Sequence, residues 1–150
     1  MGDLGQYIKV VIYMMAGLIL VYSSYEDIKK MKINIIPLFV ASVVFSITIF
    51  VIDRDMPMFT FFIPVSILFL LSVISGNQIG IGDGFAIMII GAAGGLSLQL
   101  SSLFISILIA FFYSIYILLI KHKGKNYSFP FLPFITIGYF VSIAEKLISY

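Results

Sequence analysis

Apolar residues run through this chain in stretches too long and too numerous for water to accommodate. Hydropathy divides it into about six such segments: residues 7–24, 33–52, 58–75, 85–96, 103–120 and 129–148. Of its 150 residues, 61% are hydrophobic and 11% charged, against averages of about 45–50% and about 25% in soluble domains. A soluble chain of this size buries only about two-thirds of the surface that its unfolded form exposes. Water-soluble globular folding is therefore excluded, and disorder more firmly still. The expectation is an all-α membrane protein of about six transmembrane helices, with residues 1–150 forming a single polytopic domain. At about 20 residues per span, almost nothing remains for a separate soluble domain. The first residues include Asp3 and no small-x-small cleavage site follows the first apolar run, so no cleavable signal is expected.

The basic residues orient this arrangement. Lys29, Lys30 and Lys32 separate the first two segments, and Lys121, Lys123 and Lys125 separate the last two. These are six of the nine Lys and Arg residues; the others are Lys9, Arg54 and Lys146. With six spans both lysine-rich loops share a side, which the positive-inside rule makes cytoplasmic. Both termini and the turn Asp53-Arg54-Asp55-Met56-Pro57 then face outward, and the glycine-bearing stretch 76–84 faces in. The lysines are read mainly as topology anchors. The fourth segment covers only about 20 Å, short of the ~30 Å hydrocarbon core, and carries Gly91, Gly94 and Gly95. Gly91 and Gly95 have the spacing that permits close helix contact.

Absences narrow the chemistry. With no Cys there is no disulfide, thiolate metal site, iron–sulfur cluster or cysteine nucleophile. The single histidine, His122, sits in a lysine-rich loop and cannot alone build a multi-histidine metal site. No metal and no cofactor are expected, and no nucleic-acid partner.

Seven acidic residues remain: Asp3, Glu26, Asp27, Asp53, Asp55, Asp83 and Glu145. Four of them read as solvated groups near outer ends or turns. Asp27 closes the first segment and Asp83 opens the fourth, both on the cytoplasmic side of the six-span arrangement. Ionisable groups at such depth are costly and point to function. Two carboxylates close together in a low-dielectric site do not both ionise easily, so one acts as base while the other acts as acid. Such a pair can activate water and protonate a peptide carbonyl without metal, Cys or His. Each residue also has a plain structural alternative: Asp27 as partner of Lys29–Lys32, and Asp83 as a helix N-cap.

The local sequence tilts this balance. Gly80-Ile81-Gly82-Asp83 forms a GxGD string directly before an apolar helix, where glycine lets the backbone turn tightly. Asp27 is followed by the basic stretch Ile28-Lys29-Lys30-Met31-Lys32-Ile33-Asn34, and Pro130-Phe131-Leu132-Pro133-Phe134 stands before the last segment. Together these features resemble the type IV prepilin peptidase family and its archaeal preflagellin-processing relatives, the GxGD membrane aspartyl proteases. The resemblance extends over essentially the whole chain. It implies catalytic roles for Asp27 and Asp83, support from Gly80 and Gly82, and a substrate-binding role for Lys29, Lys30, Asn34, Pro130, Phe131, Pro133 and Phe134. Glu26 is assigned an auxiliary role. The implied reaction is cleavage of a short basic leader from a pilin-like precursor at the cytoplasmic face of the cell membrane. The partners implied are that precursor, with its apolar N-terminal helix, and the lipid bilayer.

The chain departs from the family pattern at three places. Asn34 stands where proline is usual, Phe85 where a lysine commonly follows the GxGD aspartate, and Leu132 where the proline–phenylalanine segment carries glycine. The cysteine-bearing and methyltransferase regions of many bacterial members have no counterpart, so methylation is not expected. Two other functions compete: a small ion-coupled transporter using Asp27 and Asp83, and a non-catalytic membrane assembly subunit. Transporters tend to place such groups near mid-bilayer in repeated halves, and no inverted repeat is visible here. Asn77 and Gln78 read as loop polarity.

Overall fold

Every described segment longer than a turn is helical. The computed structural model describes residues 2–30, 34–52, 58–74, 80–120 and 129–148. Five helices run in order: α1 Gly2–Lys30, α2 Ile35–Ile52, α3 Met58–Ile74, α4 Ile81–Leu119 and α5 Leu132–Ile148. Among the described residues there is no strand. Two helices, Tyr7–Lys30 and Ile81–Leu119, are long and apolar enough to cross a membrane. Long apolar runs form helices in such an environment because a helix satisfies its own backbone hydrogen bonds.

The expected fourth and fifth segments prove to be one 39-residue helical run, interrupted at Gly95. Residues 97–102, which lie between the two segments and through which the fourth could run on, are themselves helical. Gly95 has φ 79° and ψ −176°, a region essentially closed to residues with a Cβ. Gly95 therefore serves as the point of reversal and not as a packing position within a straight helix. The direction change is large. Gln99 Nε2 donates to the carbonyl of Ile87 at 3.1 Å, although twelve residues of straight helix would separate the two by about 18 Å. A Cβ added to Gly94 would lie 2.9 Å from that of Leu98, whereas residues four apart on a straight helix keep about 5–6 Å. The run 81–94 thus folds back on the run 96–119.

Side-chain pairs set the register. Asp27 meets Leu132, Ser24 meets Thr136 and Tyr13 meets Tyr139, so α1 and α5 are antiparallel. Phe39 and Phe85 meet edge to face with centroids 5.4 Å apart, which sets the starts of α2 and α4 side by side. Tyr113, late in α4, contacts Phe129 and Phe134 at the start of α5. One end of the bundle therefore gathers the end of α1, the starts of α2, α4 and α5, and the end of α4.

The buried set is mixed. Leu20, Leu38, Ile87, Ile89, Ile90, Leu132, Ile135 and Tyr139 form its apolar part. Beside them lie Ser24, Ser42, Gln99, Ser102, Ser106, Thr136 and Ser142. The outer faces carry Val11, Met14, Leu18, Val51, Phe104 and Phe111. Polar groups inside and large apolar groups outside suit a hydrocarbon surround, where small and hydroxyl-bearing residues bring helices together. Gly138 shows how closely: a Cβ there would run into the carbonyl of Ser102 and the hydroxyl of Ser106.

Candidate functional site

The two aspartates singled out from the sequence are both buried, Asp27 at 7% exposure and Asp83 at 6%. They lie close enough for their charges to act on one another. Residues far apart in the chain are brought together because α1 ends where α4 begins.

Asp27 sits in the last turn of α1, where the helix dipole disfavours a negative charge. One contact offsets part of that disadvantage. Oδ2 accepts the backbone N–H of Leu132, the first residue of α5, at 3.3 Å. The Phe131 carbonyl accepts the N–H groups of Phe134 and Ile135 at 3.0 and 3.3 Å, and Pro133 has no N–H. Leu132 is thus the amide at this helix start that needs an acceptor from elsewhere, and Asp27 supplies it. Among the described residues no lysine pairs with Asp27, as the plain alternative would have it: Lys30 pairs with Glu26, Nζ to Oε1 at 2.8 Å.

Asp83 is the third residue of α4. Gly80 is the N-cap, so the aspartate does not cap the helix in the expected manner. Its backbone N–H donates to Gly80 O at 3.0 Å, and its carboxylate turns back toward Gly80. A Cβ at Gly80 would stand 3.1 Å from Asp83 Oδ2, so glycine leaves room for the return. Asp83 Oδ1 is buried without a hydrogen-bond partner among the described residues. Gly82 is buried beside it. On the flank facing α3, Gly80, Ile81, Gly84 and Phe85 line an apolar cavity of about 330 Å³ with Leu68 and Phe69.

The remaining sequence-derived residues take quieter positions. Glu26 serves Lys30 as an i,i+4 partner, and Lys29 lies over the Tyr25 ring at 5.7 Å. Asn34 caps α2, its Oδ1 accepting the Ile36 N–H at 3.3 Å. Phe131, Phe134, Phe129 and Tyr113 form an aromatic cluster with centroids 5.2–6.4 Å apart. Pro130 and Pro133 flank its backbone, half-buried. Lys32, Asn77, Gln78, His122 and the lysines of the 121–125 stretch lie outside the described residues.

Sequence reasoning missed the amide of Leu132 and the hydroxyl pair below Asp27, where Ser24 Oγ and Thr136 Oγ1 stand 2.6 Å apart. Thr136 Oγ1 also lies 3.1 Å from Leu132 O and 3.3 Å from Leu20 O, and donates to one of these carbonyls. Pro133 was the available signal, since proline near a helix start marks where free amides stand. Among the described residues no group of three or more His, Asp or Glu is placed to hold a metal ion. No family model matches the chain, and no curated protein or solved structure is significantly similar to it.

Proposed function

We propose that this protein is a membrane aspartyl endopeptidase that removes short basic leaders from pilin-like precursors, with Asp27 and Asp83 as its catalytic pair. The observation that carries the reading is the pair itself: two buried carboxylates, from α1 and α4, near enough at one end of the bundle for their charges to act on one another. Burying two such groups together is costly and finds its use in acid–base chemistry. The GxGD string and the proline–phenylalanine segment, which the prepilin peptidase resemblance picks out, meet at the same end.

In the reaction proposed, the ionised carboxylate takes a proton from water as the water oxygen bonds to the scissile carbonyl carbon. The protonated partner gives its proton to the carbonyl oxygen. The tetrahedral intermediate then collapses, the C–N bond breaks, and the amine leaves with the proton first taken from water. Asp83 Oδ1, buried and without a partner among the described residues, is the oxygen left for this work. The reading includes six membrane passes, with the reversal at Gly95 dividing α4 into two. It sets the lysine-bearing ends and the carboxylate pair on the cytoplasmic side of the cell membrane, and both termini outside.

The test is co-expression with a precursor bearing a basic leader before an apolar helix, read as a mobility shift. Wild type shortens the precursor. Asp27→Asn and Asp83→Asn each leave it uncut at equal membrane abundance. Full activity in either variant rejects the pair, and ion flux in proteoliposomes that depends on Asp83 without any cleavage would select the transporter instead.

A further inference from the structure

Leu132 offers its backbone N–H to Asp27 across a gap of 105 positions in sequence. We infer that the start of α5 is a positioning element for Asp27: the Leu132 N–H holds Oδ2 and so sets where Oδ1 points. This rests on the protease reading of the pair and adds to it a residue that acts through its backbone alone.

Three observations carry the inference. First, the donor is specific. Of the residues that open α5, Pro133 has no donor and Phe134 spends its N–H on the Phe131 carbonyl, which leaves Leu132 to face Asp27. Second, the platform is rigid. Leu132 is fully buried, and one turn further on Thr136 bonds Ser24 of α1 at 2.6 Å. Near the far end of the seam Tyr139 Oη donates to Tyr13 O at 2.8 Å. The N–H thus belongs to a helix pinned to the helix that carries Asp27. Third, Asp83 also faces a helix start: its Oδ2 lies toward Gly80, the N-cap of α4, while Oδ1 stays without a partner among the described residues. Each carboxylate thus lies against a helix N-terminus, one its own and one a neighbour's. Anchoring of this kind matters because displacing a reacting group by about 1 Å costs about 100-fold in rate.

Two substitutions at Leu132 separate the N–H from the side chain. Leu132→Pro removes the donor at the first helical position, where proline is best tolerated. Leu132→Ala keeps the donor and gives up at least as much side chain. With purified protein in proteoliposomes and a basic-leader precursor as substrate, Leu132→Pro should lower kcat about 100-fold with KM within about twofold. Leu132→Ala should stay within about fivefold of wild type. Equal kcat in the two variants overturns the inference while leaving the Asp pair intact. A wild type that does not cleave rejects the protease reading instead.

A second arm needs no activity and no Leu132 variant. Asp27→Asn keeps an acceptor for the N–H, and Asp27→Ala does not. The alanine variant should melt about 2–4 °C below the asparagine variant in detergent. Equal melting of the two also overturns the inference, whether or not Leu132→Pro accumulates.

Discussion

Between α1 and α5 the helices meet through polar groups. Asp27 takes the Leu132 amide, Ser24 takes Thr136, and Tyr139 reaches the Tyr13 carbonyl. Around the first turn of α4 the contacts are apolar. Phe85 stands edge to face with Phe39, Leu68 and Phe69 border an open cavity, and Gly80 and Gly84 leave backbone uncovered. A hydrogen-bonded seam fixes distance and direction together, whereas apolar contacts fix distance and tolerate sliding. The difference teaches that the two aspartates sit on unlike supports. Asp27 is hydrogen-bonded to a two-helix platform, while Asp83 rides on a short helical run packed through the apolar side chains of Ala86, Ile87, Ile89 and Ile90.

The comparison can be broken most decisively at the carboxylates. Asp27→Asn and Asp83→Asn should each lower cleavage about 10³-fold or more. The double variant should be no slower than either single one, because groups that act as a unit do not add. An additive double variant, in the same single-turnover assay, would mean that the two work separately.

Next in size is the reversal. Gly95→Ala places a Cβ on backbone that only glycine adopts freely, at a cost of about 1–3 kcal/mol. It should lower the melting temperature and the membrane abundance of the protein. A variant as stable as wild type would mean that the run before Gly95 can reorient cheaply.

Gly80 and Gly84 probe the Asp83 support more finely. An added Cβ at Gly80 meets Asp83 Oδ2 at 3.1 Å, whereas one at Gly84 meets nothing within 4 Å. Gly80→Ala should slow cleavage up to about tenfold by moving the carboxylate a few tenths of an ångström. Gly84→Ala should change it less than about twofold. Equal effects would detach the GxGD glycine from the carboxylate it serves. The smallest effect belongs to the surface pair, since exposed i,i+4 ion pairs contribute little. Glu26→Gln releases Lys30 yet should change neither melting nor cleavage measurably; a loss of activity would return Glu26 to an auxiliary role.

Much of this was legible in one dimension. The apolar segments set the helices, because the backbone must bond to itself wherever water is absent. The scarcity of charge made Asp27 and Asp83 visible, and the lysine pattern led to the expectation that they share a side. Less legible was the reversal. Hydropathy ended the fourth segment at about residue 96, beside Gly95, but the polar residues 97–102 that broke the apolar run are helical, and the turn itself is made at Gly95. Three glycines stand close together there, and the positive φ belongs to one of them.

The helical class and the pair of acidic residues worth attention were fixed in the sequence. Those follow from transfer energies and spacing, which are local properties of the chain. Only the tertiary structure decided what each carboxylate holds. Asp27 holds an amide of α5, and Asp83 turns back toward the N-cap Gly80 instead of capping the helix itself. The choice depends on which free amides stand within about 3 Å once the helices have packed. That distance is set by contacts between residues a hundred positions apart.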